Sequence, residues 1–239
     1  MNHLLAIDTS TTSCSVALFN GDRLISEAVL SEGKTHSRHL LSMVHRILQE
    51  GDCHISGIKG LAVTRGPGTF TGLRIGLSTV KGLAAATGVP VVGVSSLAAL
   101  AFPFRLMERP VVAMIDARRG EVYHAQFRGG STAAVAVVGE VTVCAPEAAA
   151  ARLPEDAILV GSGAALYRDV FKSQCPQIRF ADPSQHIIRA ASVGLLAMAR
   201  LHEKDGDSID GLIPDYIRKS DAQIQMSGPQ QIMTPLSPG

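Results

Sequence analysis

The chain has 239 residues, 46% hydrophobic and 18% charged, enough for one large or two small domains with a sizeable core. Its formal net charge of +1 supplies no global basic field for nucleic acid, and the absence of Trp with only three Tyr argues against a base-stacking surface. Four scattered cysteines, Cys14, Cys53, Cys144 and Cys175, form no C-x-x-C pair, so a zinc site or disulfide framework is not expected and reduced cytosolic thiols are.

His3–Asp8 is an apolar run ending in a carboxylate, the pattern of a central strand. It begins with no basic or long apolar leader, so no secretory signal is expected. Thr9 to Ser13 make a hydroxyl-rich turn. Strands follow over Ser15–Phe19 and Arg23–Leu30, joined at Asn20-Gly21, a strong hairpin signal. His36–Glu50 carries Leu40, Leu41, Val44, Ile47 and Leu48 at helical spacing, and Gly51 ends it. Leu61 to Val63 is a short buried strand.

Gly66-Pro67-Gly68 then forces a turn, and Thr69 or Thr71 can cap a helix over 71–88 whose one face is Leu73, Leu77, Val80 and Ala84. Small residues at Gly72, Gly76, Ser78 and Gly82 let another backbone approach. A glycine loop feeding a helix N-terminus can hold phosphate. Here it lacks the Lys-Ser/Thr of a Walker A loop and the G-x-G-x-x-G of a dinucleotide fold, which favours a tight turn with close packing. Val89–Val94 is a strand, and Ser95 or Ser96 caps a helix over Leu97–Phe102. Residues 82–104 carry no charge, but Gly82, Gly88, Pro90, Gly93 and Pro103 break them, so no membrane span is expected.

After a hinge at Pro103–Pro110 the order repeats. Val111–Asp116 is a strand ending in a carboxylate, Ala117 to Gly120 turn, and strands follow over Glu121–Arg128 and Ala134–Val143 around the Gly129-Gly130-Ser131 turn. A short helix spans Pro146–Arg152, with Pro where a helix start tolerates it. Ile158–Val160 is a strand, Gly161-Ser162-Gly163 leads into a helix reaching about Ser173, and a long helix spans Ile187–Lys204. Residues 222–239 are rich in Gln, Ser, Pro and Gly, a composition expected of a disordered tail.

The expected fold is therefore α/β, a duplicated βββαβα unit with mixed sheets. The expected domains are an N-terminal lobe over 1–104, a C-terminal lobe over 105–221 whose 187–204 helix packs back on the first, and the tail over 222–239. Ligands usually sit in the cleft between two such lobes.

That duplicated unit, with Asp8-Thr9-Ser10 after its first strand, resembles the actin-like (ribonuclease H-like) ATPase superfamily. The strings LAIDTSTTSCSVAL at 5–18, GPGTFTGLRIG at 66–76, DARRGEVY at 116–123 and PDYIRK at 214–219 are similar to those of the TsaB-like (YeaZ-like) family, over about residues 3–219. The resemblance implies a cytoplasmic, non-catalytic accessory subunit of the machinery that places threonylcarbamoyl on the adenosine beside the tRNA anticodon. It implies TsaD as partner through N-lobe helices, the ATPase TsaE, tRNA reached only through the complex, and a homodimer when alone.

The residues agree with a non-catalytic role. The H-x-x-x-H metal pair of TsaD-like proteins has no counterpart among His36, His39 and His45, so no metal is expected. Asp8, Thr9, Ser10, Asp116 and Arg118 mark a vestigial nucleotide site. Arg118-Arg119 stands where a bare backbone cradle would be, so ATP binding by the isolated chain is expected to be weak or absent, with ATP possible at the complex. Gly161-Ser162-Gly163 lacks G-x-S-x-G and its partners, so no catalytic residues and no protease activity are expected. What remains is surface: Leu40, Leu41, Val44, Leu48, Gly72, Leu73, Gly76, Leu77 and Val80 are expected to face a partner in a four-helix bundle. The alternatives are an ATP-binding kinase- or hydrolase-like enzyme using Asp8 and the two hairpins, and direct tRNA binding through Arg65, Arg74, Lys81, Arg118 and Arg119.

Overall fold

In the computed structural model the described residues are 3–31, 36–129 and 135–217, less the side chains of residues 36 and 37. The expected tail over 222–239, the end of the PDYIRK string and the Gly130-Ser131 turn lie outside them. The first lobe runs β1 (His3–Asp8), β2 (Cys14–Asn20), β3 (Arg23–Leu30), α1 (His36–Glu50), β4 (Ile58–Gly66), α2 (Phe70–Thr87), β5 (Val91–Ser95) and α3 (Ser96–Ala101). The second runs β6 (Val111–Arg118), β7 (Glu121–Arg128), β8 (Ala136–Cys144), α4 (Pro146–Ala150), β9 (Ile158–Val160), α5 (Ser162–Leu166), α6 (Arg168–Gln174), β10 (Arg179–Phe180) and α7 (Ala190–His202).

Each lobe is built on a five-stranded mixed sheet, ordered β3-β2-β1-β4-β5 and β8-β7-β6-β9-β10. In both, an antiparallel meander is followed by parallel strands reached through helices. This is the duplicated actin-like topology expected from the repeat. The central strand β1 is sealed on both faces, which is why HLLAID reads as an unbroken apolar run rather than an alternating one. Leu5 and Ile7 face α1 and α2 with Leu40, Ile47, Leu77 and Val80; Leu4 and Ala6 face α3 and α7 with Phe19, Leu97 and Val193. Each fully buried Leu or Ile contributes roughly 1.5–3 kcal/mol.

Helix α7 belongs to the second half of the chain yet packs on the first sheet, across β1 and β2. It has no N-cap side chain of its own. Glu27 on β3 supplies one from a distance, its Oε1 accepting the Ala191 N–H at 2.9 Å while Oε2 takes the Arg189 guanidinium. The Ser15 hydroxyl donates to the Ile188 carbonyl at 3.0 Å.

Several elements differ from expectation. The stretch after Gly161 is two helices, because Tyr167 leaves helical backbone at φ −103°, ψ 27°. The two-residue strand β10 is too short to show a period. The Ile187–Lys204 helix begins only at Ala190, because Arg189 holds extended backbone to reach Glu27 on β3 and the Ile188 carbonyl is taken by Ser15 of β2. After α7, residues 205–217 form a strap that sequence periodicity does not announce. The Asp207 carboxylate accepts the Gly93 N–H at 2.6 Å, its own N–H donates to the Val91 carbonyl, and Leu212 enters the lobe I core. Among the described residues no helix is long and apolar enough to cross a membrane.

Candidate functional site

The turn after β1 is where an actin-like protein would grip phosphate. Here it is interior: Asp8 and Ser10 are 0% exposed and Thr9 is 1%. Asp8 Oδ1 accepts from the Ser10 backbone N–H at 3.1 Å, the Ser10 hydroxyl at 2.6 Å and the Thr64 hydroxyl at 2.7 Å. The Thr9 hydroxyl donates to the Gly72 carbonyl at 2.7 Å, and the Thr69 N–H donates to the Ser10 carbonyl at 2.7 Å. The turn and the α2 N-terminus therefore consume each other's polar groups. Thr69 caps the helix, its Oγ1 accepting the Gly72 N–H at 3.2 Å.

The glycines of the loop exist for this contact. A Cβ on Gly72 would sit 2.0 Å from the Thr9 carbonyl oxygen, one on Gly68 2.3 Å from that of Ser10, and one on Gly76 2.4 Å from Thr9 Oγ1. What Gly72 and Gly76 let approach is this chain's own Thr9, its carbonyl at Gly72 and its hydroxyl at Gly76. The packing also silences Cys14 just beyond, whose thiol burial, helped by the Asp8 carboxylate, pushes up to about 12.

The turn after β6 is open. Asp116 is half-buried, its N–H donating to Ser162 Oγ at 3.1 Å and its Oδ1 accepting the Arg118 N–H at 2.8 Å. The Arg118 guanidinium lies 3.4 Å from Asp116 Oδ2 and its side chain is 65% exposed. Arg118 pairs with Glu121, leaving a two-residue turn of Arg119 and Gly120. Arg118, Arg119 and Gly120 all take positive φ, at 63°, 56° and 76°. Two consecutive arginines in left-handed backbone make a knuckle, not an amide-lined cradle. Ser162 serves here as the acceptor that steadies the hairpin.

The expected partner face needs correction. Leu40, Val44, Leu48, Leu73, Leu77 and Val80 are core residues, at most 8% exposed, and Gly72 and Gly76 are buried against Thr9. Only Leu41, 61% exposed, points outward. Each helix has one apolar stripe, and the sheet uses it. The outward side of α2 is Thr71, Arg74, Ser78, Gly82 and Ala85, which is polar or small rather than an over-wide apolar surface. His39 and His45 are exposed, the His36 side chain lies outside the described residues, and no metal-ligating group of three occurs among the described residues.

Two of the cationic candidates, Arg65 and Arg74, are held by the strap. Arg65 Nε donates to Asp215 Oδ2 at 2.8 Å. Arg74 lies 3.8 Å over the Phe70 ring and donates to the Tyr216 hydroxyl, while Tyr216 stacks on Phe70 at 5.4 Å between centroids. Lys81, Arg118 and Arg119 do not gather with them into one engaged cluster; the first lies on α2 and the others on the far lobe's hairpin. The residues that sequence reasoning passed over are those of the strap, Asp207, Asp215 and Tyr216. Asp215 and Tyr216 leave a trace only in the PDYIRK string, which carries no period, and Asp207 leaves none.

Residues 23–226 match the model of the TsaD family, tRNA N6-adenosine threonylcarbamoyltransferase. The chain is 29% identical over 225 residues to the tRNA threonylcarbamoyladenosine biosynthesis protein TsaB of Bacillus subtilis, covering 93% of this chain and 96% of that one. It is 37% identical over 177 residues to TsaB of Haemophilus influenzae, covering 69% and 73%. The solved structure of YeaZ from Pseudomonas aeruginosa superposes with a TM-score of 0.79 at 33% identity, covering 91% of this chain and all of that one.

Proposed function

Since the chain belongs to the TsaB (YeaZ) family and so acts in tRNA threonylcarbamoyladenosine biosynthesis, we propose that it does so as a non-catalytic subunit, a scaffold and activator of TsaD working with TsaE in the cytoplasm. The observation that carries this reading is the closed first turn. The groups that would meet a nucleotide are taken up by the same chain: Asp8 Oδ1 by Ser10 and by Thr64 of β4, and the Thr9 hydroxyl and Ser10 carbonyl by Gly72 and Thr69 at the α2 N-terminus. Admitting a phosphate there requires displacing α2, which is anchored by Leu73, Leu77 and Val80 in the core. The second hairpin, a two-residue turn flanked by an ion pair, offers no replacement cradle.

What the chain offers a partner is the outward side of its first-lobe helices. Leu41 on α1 and the Phe70–Arg74–Tyr216 cluster at the start of α2 are the exposed groups of the type that anchor protein interfaces. TsaD takes this side in the working complex, a second copy takes it when the chain is alone, and tRNA is met through the complex. Reconstitution tests the reading: TsaD, TsaE, the threonylcarbamoyl donor, ATP and tRNA are combined with and without this chain. Modification should depend on it, and Leu41→Glu should weaken co-elution with TsaD without changing the melting temperature. Full modification by TsaD without this chain removes the scaffold role. Turnover of ATP with magnesium by the isolated chain establishes the enzyme reading instead.

A further inference from the structure

A cavity of about 640 Å³ opens between the lobes, lined by no residue of either hairpin turn. One side is Pro67 at the end of the first sheet, another is Phe127, Val137 and Val141 on the β7–β8 ribbon, and the third is the strap, with Tyr216 and Ile217. The walls are mainly apolar yet reach solvent: Val137 is 53% exposed, Tyr216 41% and Ile217 37%. The strap's carboxylate on the wall, Asp215, is already bonded to Arg65. The hollow is thus an apolar groove of ligand size without a free strap charge.

The sequence supplies an occupant that fits it. Ile217, the last described residue, lies in the wall, so the chain that follows starts at the rim of the groove. Every position from 222 to 239 is uncharged, in a chain that is 18% charged overall, and Ile232, Met233, Pro235 and Leu236 cluster within it. Seating these side chains desolvates no ion and covers Val137, Tyr216 and Ile217. Pro235-Leu236-Ser237-Pro238 is a P-x-x-P pattern, the kind of sequence that seats in aromatic-lined grooves. Tethering at Ile217 raises the local concentration to the order of millimolar, so weak apolar contacts suffice.

We propose that this groove is an intramolecular docking site for residues 222–239 of the same chain. The test uses the full-length protein throughout. Replacing Ile232, Met233 and Leu236 together by Asp places charges opposite the groove without touching the described core. Hydrogen exchange of the amides at 135–141 and 215–217 should then quicken at least tenfold, with α1 and α2 unchanged; equal exchange in both proteins overturns the proposal. A photo-crosslinking residue in place of Val137 reads the occupant directly. A crosslink within one chain to residues 222–239 supports it. A crosslink joining two chains assigns the groove to a second copy, an adduct with another protein assigns it to a partner, and absence of any adduct with 222–239 leaves the groove empty; each of these overturns it.

Discussion

In lobe I the carboxylate that ends the first strand, Asp8, lies beneath α2 with three donors on one oxygen. In lobe II its counterpart, Asp116, lies two residues before the end of β6, the strand in the same place of the sheet, but stands half-open beside an exposed arginine. The backbone repeat is faithful, yet the two turns meet different neighbours. The difference lies in the helix that follows the fourth strand of each lobe. Phe70–Thr87 arrives on a glycine loop and presses its N-terminus into the first turn; Ser162–Leu166 is a single short turn of helix that reaches the second with one hydroxyl. A duplicated scaffold can thus close one of its two ligand-gripping turns without altering the sheet that carries it.

The contrast can be broken most severely by unseating α2. Leu77→Glu puts an unpaired carboxylate among Leu5, Ile7 and Leu61, where a charge has no partner, and should cost more than about 4 kcal/mol. Urea titration followed by circular dichroism checks this, and a native-like midpoint would mean that the helix face is not core. Next comes the matched pair of carboxylates. Asp8→Ala strands the Ser10 and Thr64 hydroxyls in the interior and should cost about 3 kcal/mol, whereas Asp116→Ala, which gives up only the Arg118 contacts, should cost about 1 kcal/mol or less. Equal losses would erase the distinction between the two turns.

Gly72→Ala tests the seal with a single methyl. Its Cβ meets a backbone oxygen that cannot swing aside, so a loss of about 2 kcal/mol is expected in thermal unfolding. In the open turn the sign reverses. Arg118→Gly relieves a left-handed residue and gives up only an exposed ion pair, so stability should rise by about 0.5 kcal/mol. The smallest effect concerns the strap. Burial pushes the Asp207 carboxyl up, but the Arg200 guanidinium and the Gly93 N–H outweigh it and hold it below its ordinary value of 3.8. A lowered carboxylate stabilises the fold fully above that value and loses the contribution as pH falls through the lower folded one. Exchange at 205–217 should therefore rise only below about pH 4, and Asp207→Asn should abolish the dependence.

The order of elements was legible because it rests on local physics. Apolar runs, the β2–β3 hairpin (expected to turn at Asn20-Gly21, and turning one residue later at Gly21-Asp22 because Asn20 pairs with Arg23), the Thr69 and Ser95 caps and the helix stripes each depend on residues within a turn or two of one another. The apolar stripe of α2 was equally legible as a pattern, but not what it covers. Leu73 and Leu77 have the same period whether they face a sheet of their own chain or a helix of another.

The sequence alone determined a duplicated α/β chain with an actin-like repeat, and its quoted strings placed it beside the TsaB-like family. Only the tertiary structure decided that the glycines of 68–76 admit Thr9 and Ser10 of their own chain, that α7 crosses to the first sheet on Glu27, and that a strap lacking any period closes the edge of β5. The reason is range. Periodicity and capping report on neighbours along the chain, whereas a missing Cβ, a buried carboxylate and a covered strand edge take their meaning from groups brought close only by the fold.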